Sequence, residues 1–338
     1  MSALVFLCLA AGLWNPEPAG EVVVVGPEVV REIEFEEVLR LRPEETASGA
    51  GVRAETWFAL PQSEPGQRLL GPPEIVAPAA ERRTDVHGNR LVRSVGDPAA
   101  AGGFRTVWRV RVGLANREHR VRGDALGPLT AVPLDVLSRY LALDGRHADP
   151  GPELVAAAAA ARREARDPLD LAFRLNRLVR ERVVYDRDGR WDPAPVVWRT
   201  GRGSCSEYHF LYSTLCRLAG LPCRFVGATA WRGENGDLAY SDDVYHRWSE
   251  VFLPGYGWFP VDVSRNDGED GEPLDQAFGK TSRGLCILSR GDGGDDDPLG
   301  VQYVARGFAL DASGLPAERP RLGSDRVVRW RVVPAPTR

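Results

Sequence analysis

GRGSCSEYHFLYSTLCRLAGLPCR, residues 201–224, reads as a helix with a cysteine in its first turn. Ser204 and Glu207 have the S-x-x-E spacing of a capping box, which makes Cys205 the first helical residue. Tyr208, Leu211, Tyr212, Leu215 and Leu218 recur at helical spacing, and Gly220, Leu221 and Pro222 supply a C-terminal stop. The first amides of such a helix lack intrahelical partners and carry the positive end of the macrodipole, which favours a negative charge there by about 0.3–1 kcal/mol. A thiolate is such a charge. The plainer reading is a buried structural cysteine, so the thiol needs support from elsewhere in the chain.

A nucleophilic cysteine requires a base to take its proton and a third group to orient that base. His246, on the strand pattern VYHRWSEVFL, and Asp262, on the next one, GWFPVDVS, are the candidates. An imidazole beside the thiol lowers its pKa from about 8.5, and a carboxylate on the far ring nitrogen fixes the tautomer. Alternation puts His246, Trp248 and Glu250 on one face of their strand and Trp258, Pro260 and Asp262 on one face of the other. A two-residue turn would set His246 opposite residue 265 and send Asp262 to the wrong side. A loop of three or five residues, or a bulge, puts Asp262 directly or diagonally across from His246, so an odd loop is expected. His209 is four residues after Cys205 on the same helix face, one turn too deep to compete as base.

Working outward, residues 21–132 show short alternating segments separated by Pro and Gly: EVVVVG, VRAETWFALP, NRLVRSV and FRTVWRVRVGL, with DVHGNR as a hairpin turn. They imply an all-β, sandwich-like domain. His87 and His119 belong to it without metal-ligand spacing. Residues 133–338 start with helices, GPELVAAAAAARREARD and PLDLAFRLNRLVRERV, the second capped by Asp167 and Pro168. Strands follow, RFVGATAW and the His246 and Asp262 pair, and then two late candidates near 300–309 and 327–333. Helices followed by an antiparallel sheet make this part α+β. The late strands are expected to complete it.

Three blocks, GRGSCSEYHFLYSTLCRLAGLPCRFVGATA, YHRWSEVFLPGYGWFPVDVS and AFGKTSRGLCILSRGD, resemble in order the core domain of the bacterial transglutaminase-like family, a relative of the papain-like cysteine proteases. The resemblance spans about Tyr140 to Asp292. It implies a papain-like α+β core, an N-terminal β-sandwich of the kind common in that family, and acyl transfer from protein or peptide amides through a thioester. Cys205 would be the nucleophile, His246 the base and then the acid, and Asp262 the orienting group. Water or an amine would resolve the thioester. The Cys205 amide would meet the oxyanion; Trp191 and Trp198 carry indole N–H groups but read more simply as packing residues. A reading of another class is a catalytically silent binding module on the same fold.

No cofactor or metal is implied. Cys216 and Cys223 look like core, the cysteines show neither a disulfide framework nor CxxC, and the acidic loops NDGEDGEP and GDGGDDDP fail the EF-hand spacing. With 27% charged residues, net charge −4 and a pI near 5.9, nothing argues for nucleic acid or an anionic membrane as partner. Residues 1–20 carry an apolar run too short to span a bilayer. It resembles the h-region of an export signal, though no Lys or Arg precedes it and the cleavage pattern is poor. An exported chain is expected on that resemblance, and a cytoplasmic one if the segment is an apolar first strand or a start-site error.

Overall fold

The computed structural model describes residues 19–43, 51–234, 236–266, 277–292, 298–318 and 321–333. The expected leader, with Cys8, and most of both acidic loops lie outside those residues. The first part contains β1 (Gly20–Leu41), β2 (Arg53–Leu60), β3 (Gln67–Leu69), β4 (Glu74–Val76), β5 (Glu81–Thr84), β6 (Arg90–Gly96) and β7 (Phe104–Val121). Then come α1 (Leu134–Tyr140), α2 (Gly151–Glu164), α3 (Pro168–Arg182), β8 (Val184–Tyr185), α4 (Ala194–Thr200), β9 (Arg202–Gly203) and α5 (Cys205–Leu218). The remaining strands are β10 (Cys223–Ala230), β11 (Ala239–Asp242), β12 (His246–Leu253), β13 (Gly257–Val261), β14 (Lys280–Thr281), β15 (Leu285–Gly291), β16 (Ala305–Leu310) and β17 (Leu322–Val332). The architecture is α+β.

β1 and β7 are long antiparallel partners, from Gly20↔Val121 to Leu39↔Phe104. Their wet face is a charge ladder: Glu36 with Arg105, Glu34 with Arg109 and Glu32 with Arg111. Ile33, Phe35, Trp108, Val110 and Val112 point the other way, into a core shared with Phe58, Leu60, Leu91 and Val92 of β2 and β6. This is the expected sandwich, one face wet and one buried. Its closure differs from the expectation. β17 pairs with β1 and β16 with β2, so the late strands complete the sandwich rather than the α+β part. Trp330 and Val328 of β17 and Ala305 of β16 fill that first core. Apolar alternation marks a strand and its inward face but names no partner, which is why the pairing was not visible locally.

The α+β part has the antiparallel sheet β13-β12-β10-β15. α5 packs on it, and residues Cys205 to Arg217 are all buried. Leu171, Leu175 and Val179 of α3 and Leu154 of α2 cover its other sides together with Tyr208, Leu211 and Leu215. A Schellman motif ends α5: Leu221 N donates to Cys216 O at 2.9 Å and Gly220 N to Arg217 O at 3.0 Å, with Gly220 at φ 76°.

A buried ionic chain joins the two parts. Arg224 Nη2 lies 2.7 Å from Glu250 Oε2, Arg290 Nε 3.1 Å from the same oxygen, Arg290 Nη2 2.6 Å from Glu64 Oε2, and Arg117 Nη1 2.8 Å from Glu64 Oε1. His87 Nδ1 and Tyr140 OH meet at 2.8 Å and His119 Nδ1 and Tyr256 OH at 2.7 Å, so both histidines serve the same junction. Burial alone would raise the Glu250 carboxyl, but Arg290 and Arg224 hold it at about 2. A carboxyl depressed from about 4.3 in the unfolded chain stabilises the fold fully above that value and loses its contribution as pH falls through the folded one. Glu250→Gln, which leaves two buried guanidinium groups facing a neutral amide, is expected to cost about 3–5 kcal/mol at pH 7. Urea melts of both proteins at pH 7 and pH 3 check this: the gap should narrow in acid, and an equal gap at both values contradicts it.

Candidate active site

α5 starts as its sequence implies. Glu207 closes the capping box, Oε2 accepting from Ser204 N at 2.9 Å and from Ser204 Oγ at 2.6 Å. Its second oxygen accepts from Asp192 N at 3.1 Å, tying the incoming loop to the helix. A Cβ on Gly203 would lie 2.2 Å from the Glu207 Cβ, so only glycine lets the glutamate fold back there. Cys205 is therefore held at the helix N-terminus, 7% exposed.

The β12–β13 hairpin has a three-residue loop, Pro254 to Tyr256, between the paired Leu253 and Gly257. With Ser249 opposite Val261, Asp262 falls diagonally across from His246 on the same face. His246 Nε2 and Asp262 Oδ2 are 2.7 Å apart. Asp262 Oδ1 accepts from Ser264 Oγ at 3.1 Å and Arg265 N at 3.2 Å, which fixes the carboxylate. The Cys205 thiol lies near enough to the His246 ring for each to favour the charged form of the other. With Nε2 committed to Asp262, Nδ1 is the nitrogen left for the thiol. The structure thus brings Cys205, His246 and Asp262 together.

Electrostatics favour a charged arrangement. Burial alone would raise the Cys205 thiol, but the His246 hydrogen bond and charge, and then Arg247, bring it below its ordinary value. Burial opposes the imidazolium too, and Asp262 and Cys205 outweigh it, raising His246 to about 10. The Asp262 carboxyl, which burial would raise, is held low by His246. These shifts all favour the thiolate, imidazolium and carboxylate over their neutral forms. His209, by contrast, meets Ser249 Oγ through Nδ1 at 2.7 Å and is kept neutral by burial.

Several contributors were not visible in the sequence. The reading began the His246 strand at Val244, whereas β12 begins at His246, and Tyr245 just before it is left-handed at φ 60°. Asp242, which sequence reading left in a polar loop, holds that turn. Its Oδ1 accepts from Val244 N at 3.2 Å, Tyr245 N at 3.0 Å and Arg232 Nη1 at 2.7 Å. Its Oδ2 accepts from Ala230 N at 2.7 Å and Thr229 Oγ1 at 2.8 Å. The S-D-D run was the available signal, an Asx-type turn before a strand. Trp198 Nε1 donates to Glu153 at 2.8 Å and is a packing residue; Trp191 stacks on Tyr303. A cleft of about 350 Å³ opens beside His246, lined by Tyr185, Trp231, Arg232, Ser264 and Arg265 among others. Among the described residues no cluster of three or more His, Cys, Asp or Glu could hold a metal ion, and no helix is long and apolar enough to cross a membrane.

Residues 155–263 match the model of the transglutaminase-like superfamily core, a segment that includes all three side chains. Over that segment the chain is similar to the core of this superfamily. Its fold is similar to that of a candidate cysteine protease from Cytophaga hutchinsonii, over 94% of this chain and 95% of that one, with a TM-score of 0.64 at 14% identity. More remote likenesses are to the periplasmic domain of TgpA from Pseudomonas aeruginosa, with 17% identity, 76% of this chain, 98% of that one and a TM-score of 0.37. Another is to red sea bream transglutaminase, with 11% identity, 71% of this chain, 47% of that one and a TM-score of 0.33. No curated protein matches.

The four described cysteines are free and buried. Burial pushes the Cys216 and Cys286 thiols up, whereas Cys205 is pulled down. Iodoacetamide at pH 7 is therefore expected to label Cys205 first, with Cys216, Cys223 and Cys286 reacting only on denaturation. Peptide mass spectrometry reads this, and equal labelling of all four would sink the electrostatic account.

Proposed function

We propose that the protein is a thiol-dependent acyltransferase or hydrolase acting on protein or peptide amides, with Cys205 as nucleophile, His246 as base and then acid, and Asp262 as the orienting group. The observation that carries this is an imidazole bonded at 2.7 Å to a fixed carboxylate and favouring the ionised form of a thiol at a helix N-terminus. The match of residues 155–263 to the transglutaminase-like superfamily supports it.

In this reading the Cys205 thiolate attacks the amide carbon and the carbonyl electron pair moves to oxygen. The Cys205 N–H, without an intrahelical partner at the first position of α5, faces the developing oxyanion together with the positive helix end. Collapse restores the carbonyl and breaks the C–N bond, and the imidazolium gives its proton to the departing amine or ammonia. A thioester remains. Water or a second amine then loses a proton to His246 as it attacks, and the thiolate leaves. Asp262 keeps the ring oriented in both halves and stabilises the imidazolium that opens the first and re-forms in the second.

A glutamine-containing peptide incubated with hydroxylamine or a fluorescent amine tests this. Incorporated amine means transfer, and glutamate alone means hydrolysis. Cys205→Ala is expected to abolish either product, a loss of about 10³-fold or more, while its melting temperature stays within about 2 °C of the parent. No product and no covalent Cys205 adduct across a broad peptide set would instead favour the silent binding module.

A further inference from the structure

The group that hands a proton to a departing amine must touch that amine, so the leaving half of an amide substrate lies against His246. An amine that attacks the thioester comes in on the same side, because that step is acylation run in reverse. The cleft of about 350 Å³ is on this side, since His246 lines it and Cys205 does not. Its volume is many times the roughly 30 Å³ share of a water in the liquid, and ammonia is no larger than water. The cleft is therefore sized for an amine that carries a residue or two.

Besides His246, the charged residues that line it are Arg232 and Arg265, and among the described residues no carboxylate does. Arg232 is held in place: Nη1 donates to Asp242 Oδ1 at 2.7 Å and Nη2 to Tyr245 O at 2.6 Å, with the side chain 37% exposed. Arg265 is tied through its backbone, whose N–H donates to Asp262 Oδ1 at 3.2 Å, while the residue itself is exposed. Asp242 offsets the first guanidinium, and among the described residues no carboxylate pairs with the second. Two further guanidiniums flank the cleft. Arg31 lies 5.0 Å from the ring centroid of the lining residue Trp231, and Arg283 stands between the lining residues Ser282 and Gly284. Their side chains donate to carbonyls, Val30 O at 3.1 Å and Pro27 O at 3.4 Å, and not to acids. Acids close in sequence are engaged elsewhere, Asp186 with Arg202 at 2.9 Å and Asp237 with the Glu234 amide at 2.7 Å. On a chain of net charge −4 the cleft is a local excess of positive charge.

We propose that this cleft holds the amine half of the substrate and selects one that carries a carboxylate, which pairs with the Arg265 guanidinium beside the fixed Arg232. The inference rests on the thiol reading above and narrows it. The amine that departs or attacks is an acidic peptide, rather than ammonia or a lysine side chain. A carboxylate gains charge-assisted hydrogen bonds from a guanidinium fork, whereas an ammonium brought to the same place meets like charge.

The test needs no knowledge of the natural acyl group. p-Nitrophenyl acetate acetylates a reactive thiol, and the acetyl-enzyme of the full chain is then offered competing amines. The amine nitrogen attacks the thioester carbon, its proton passes to His246, the thiolate leaves, and the N-acetyl product is counted by mass spectrometry. Glutamic acid α-amide competes with glutamine amide and lysine amide, and glycylglycine with glycylglycinamide. The carboxylate member of at least one set should win by about tenfold or more, with lysine amide last, and the set that shows the preference tells whether a side chain or a chain end supplies the carboxylate. Arg265→Gln should bring the preference within about threefold, Arg265→Lys should keep most of it, and Arg265→Glu should turn it toward lysine amide. Equal partition in the parent chain overturns the proposal, as does a preference untouched by Arg265→Gln or release by water alone at every amine concentration. If no acetyl group appears on Cys205, the thiol reading itself fails, and this proposal with it.

Discussion

The His246 ring has two nitrogens, and the arrangement of the site follows from each being committed to a different neighbour. Asp262 takes one, and the other is left to the Cys205 thiol, whose ionised form the ring favours. The partners come from different secondary structures, so the bond to Asp262 depends on hairpin parity and the placing of the sulfur on where α5 is seated. The three-residue loop satisfies the first condition. Burial of α5 against β10 and β12 satisfies the second, since a helix buried on every side has little freedom to slide.

That burial forces polar groups into the interior, and most are satisfied. His147 Nδ1 meets Thr214 Oγ1 at 2.9 Å, and Arg217 reaches the carbonyls of Cys223, Ala142 and Asp292. The charges around the sulfur are a different case. Burial opposes the charged forms of Cys205, His246 and Asp262 alike, and mutual attraction overcomes it only because all three are present. Stability of the charged state and competence of the site are therefore one property. Taking away Asp262 leaves the buried imidazolium without its carboxylate, whereas taking away the sulfur leaves a matched pair.

Much of this was legible in the chain. The capping box located the thiol to the residue, the demand that Asp262 face His246 called for an odd hairpin loop, and alternation in TVWRVRV announced a strand with a dry side. Local rules suffice for such features because they act within a few residues. What stayed hidden depends on contacts distant in sequence. β17 has the pattern of any amphipathic strand, and only the packing of Trp330 and Val328 in the sandwich core assigns it to β1. Arg247 was not singled out, because no local pattern reveals an aromatic cage drawn from four separate segments.

The closure of the sandwich bears directly on the site. β11 pairs with β17, and its last residue is Asp242. Trp330 Nε1, on β17, donates to Thr229 Oγ1 at 2.9 Å, and that hydroxyl donates to Asp242 Oδ2. The other carboxylate oxygen holds the amides of Val244 and Tyr245, which keeps Tyr245 in a left-handed conformation that a bulky residue adopts only under constraint. His246 is the next residue. The direction in which the imidazole leaves the backbone is therefore set by a hydrogen-bonded path that ends in the last strand of the sandwich. Covering an exposed sheet edge would explain the pairing of β17 but not a buried carboxylate with both oxygens engaged. Aiming His246 accounts for both, and makes the β-domain part of the machinery that positions the ring.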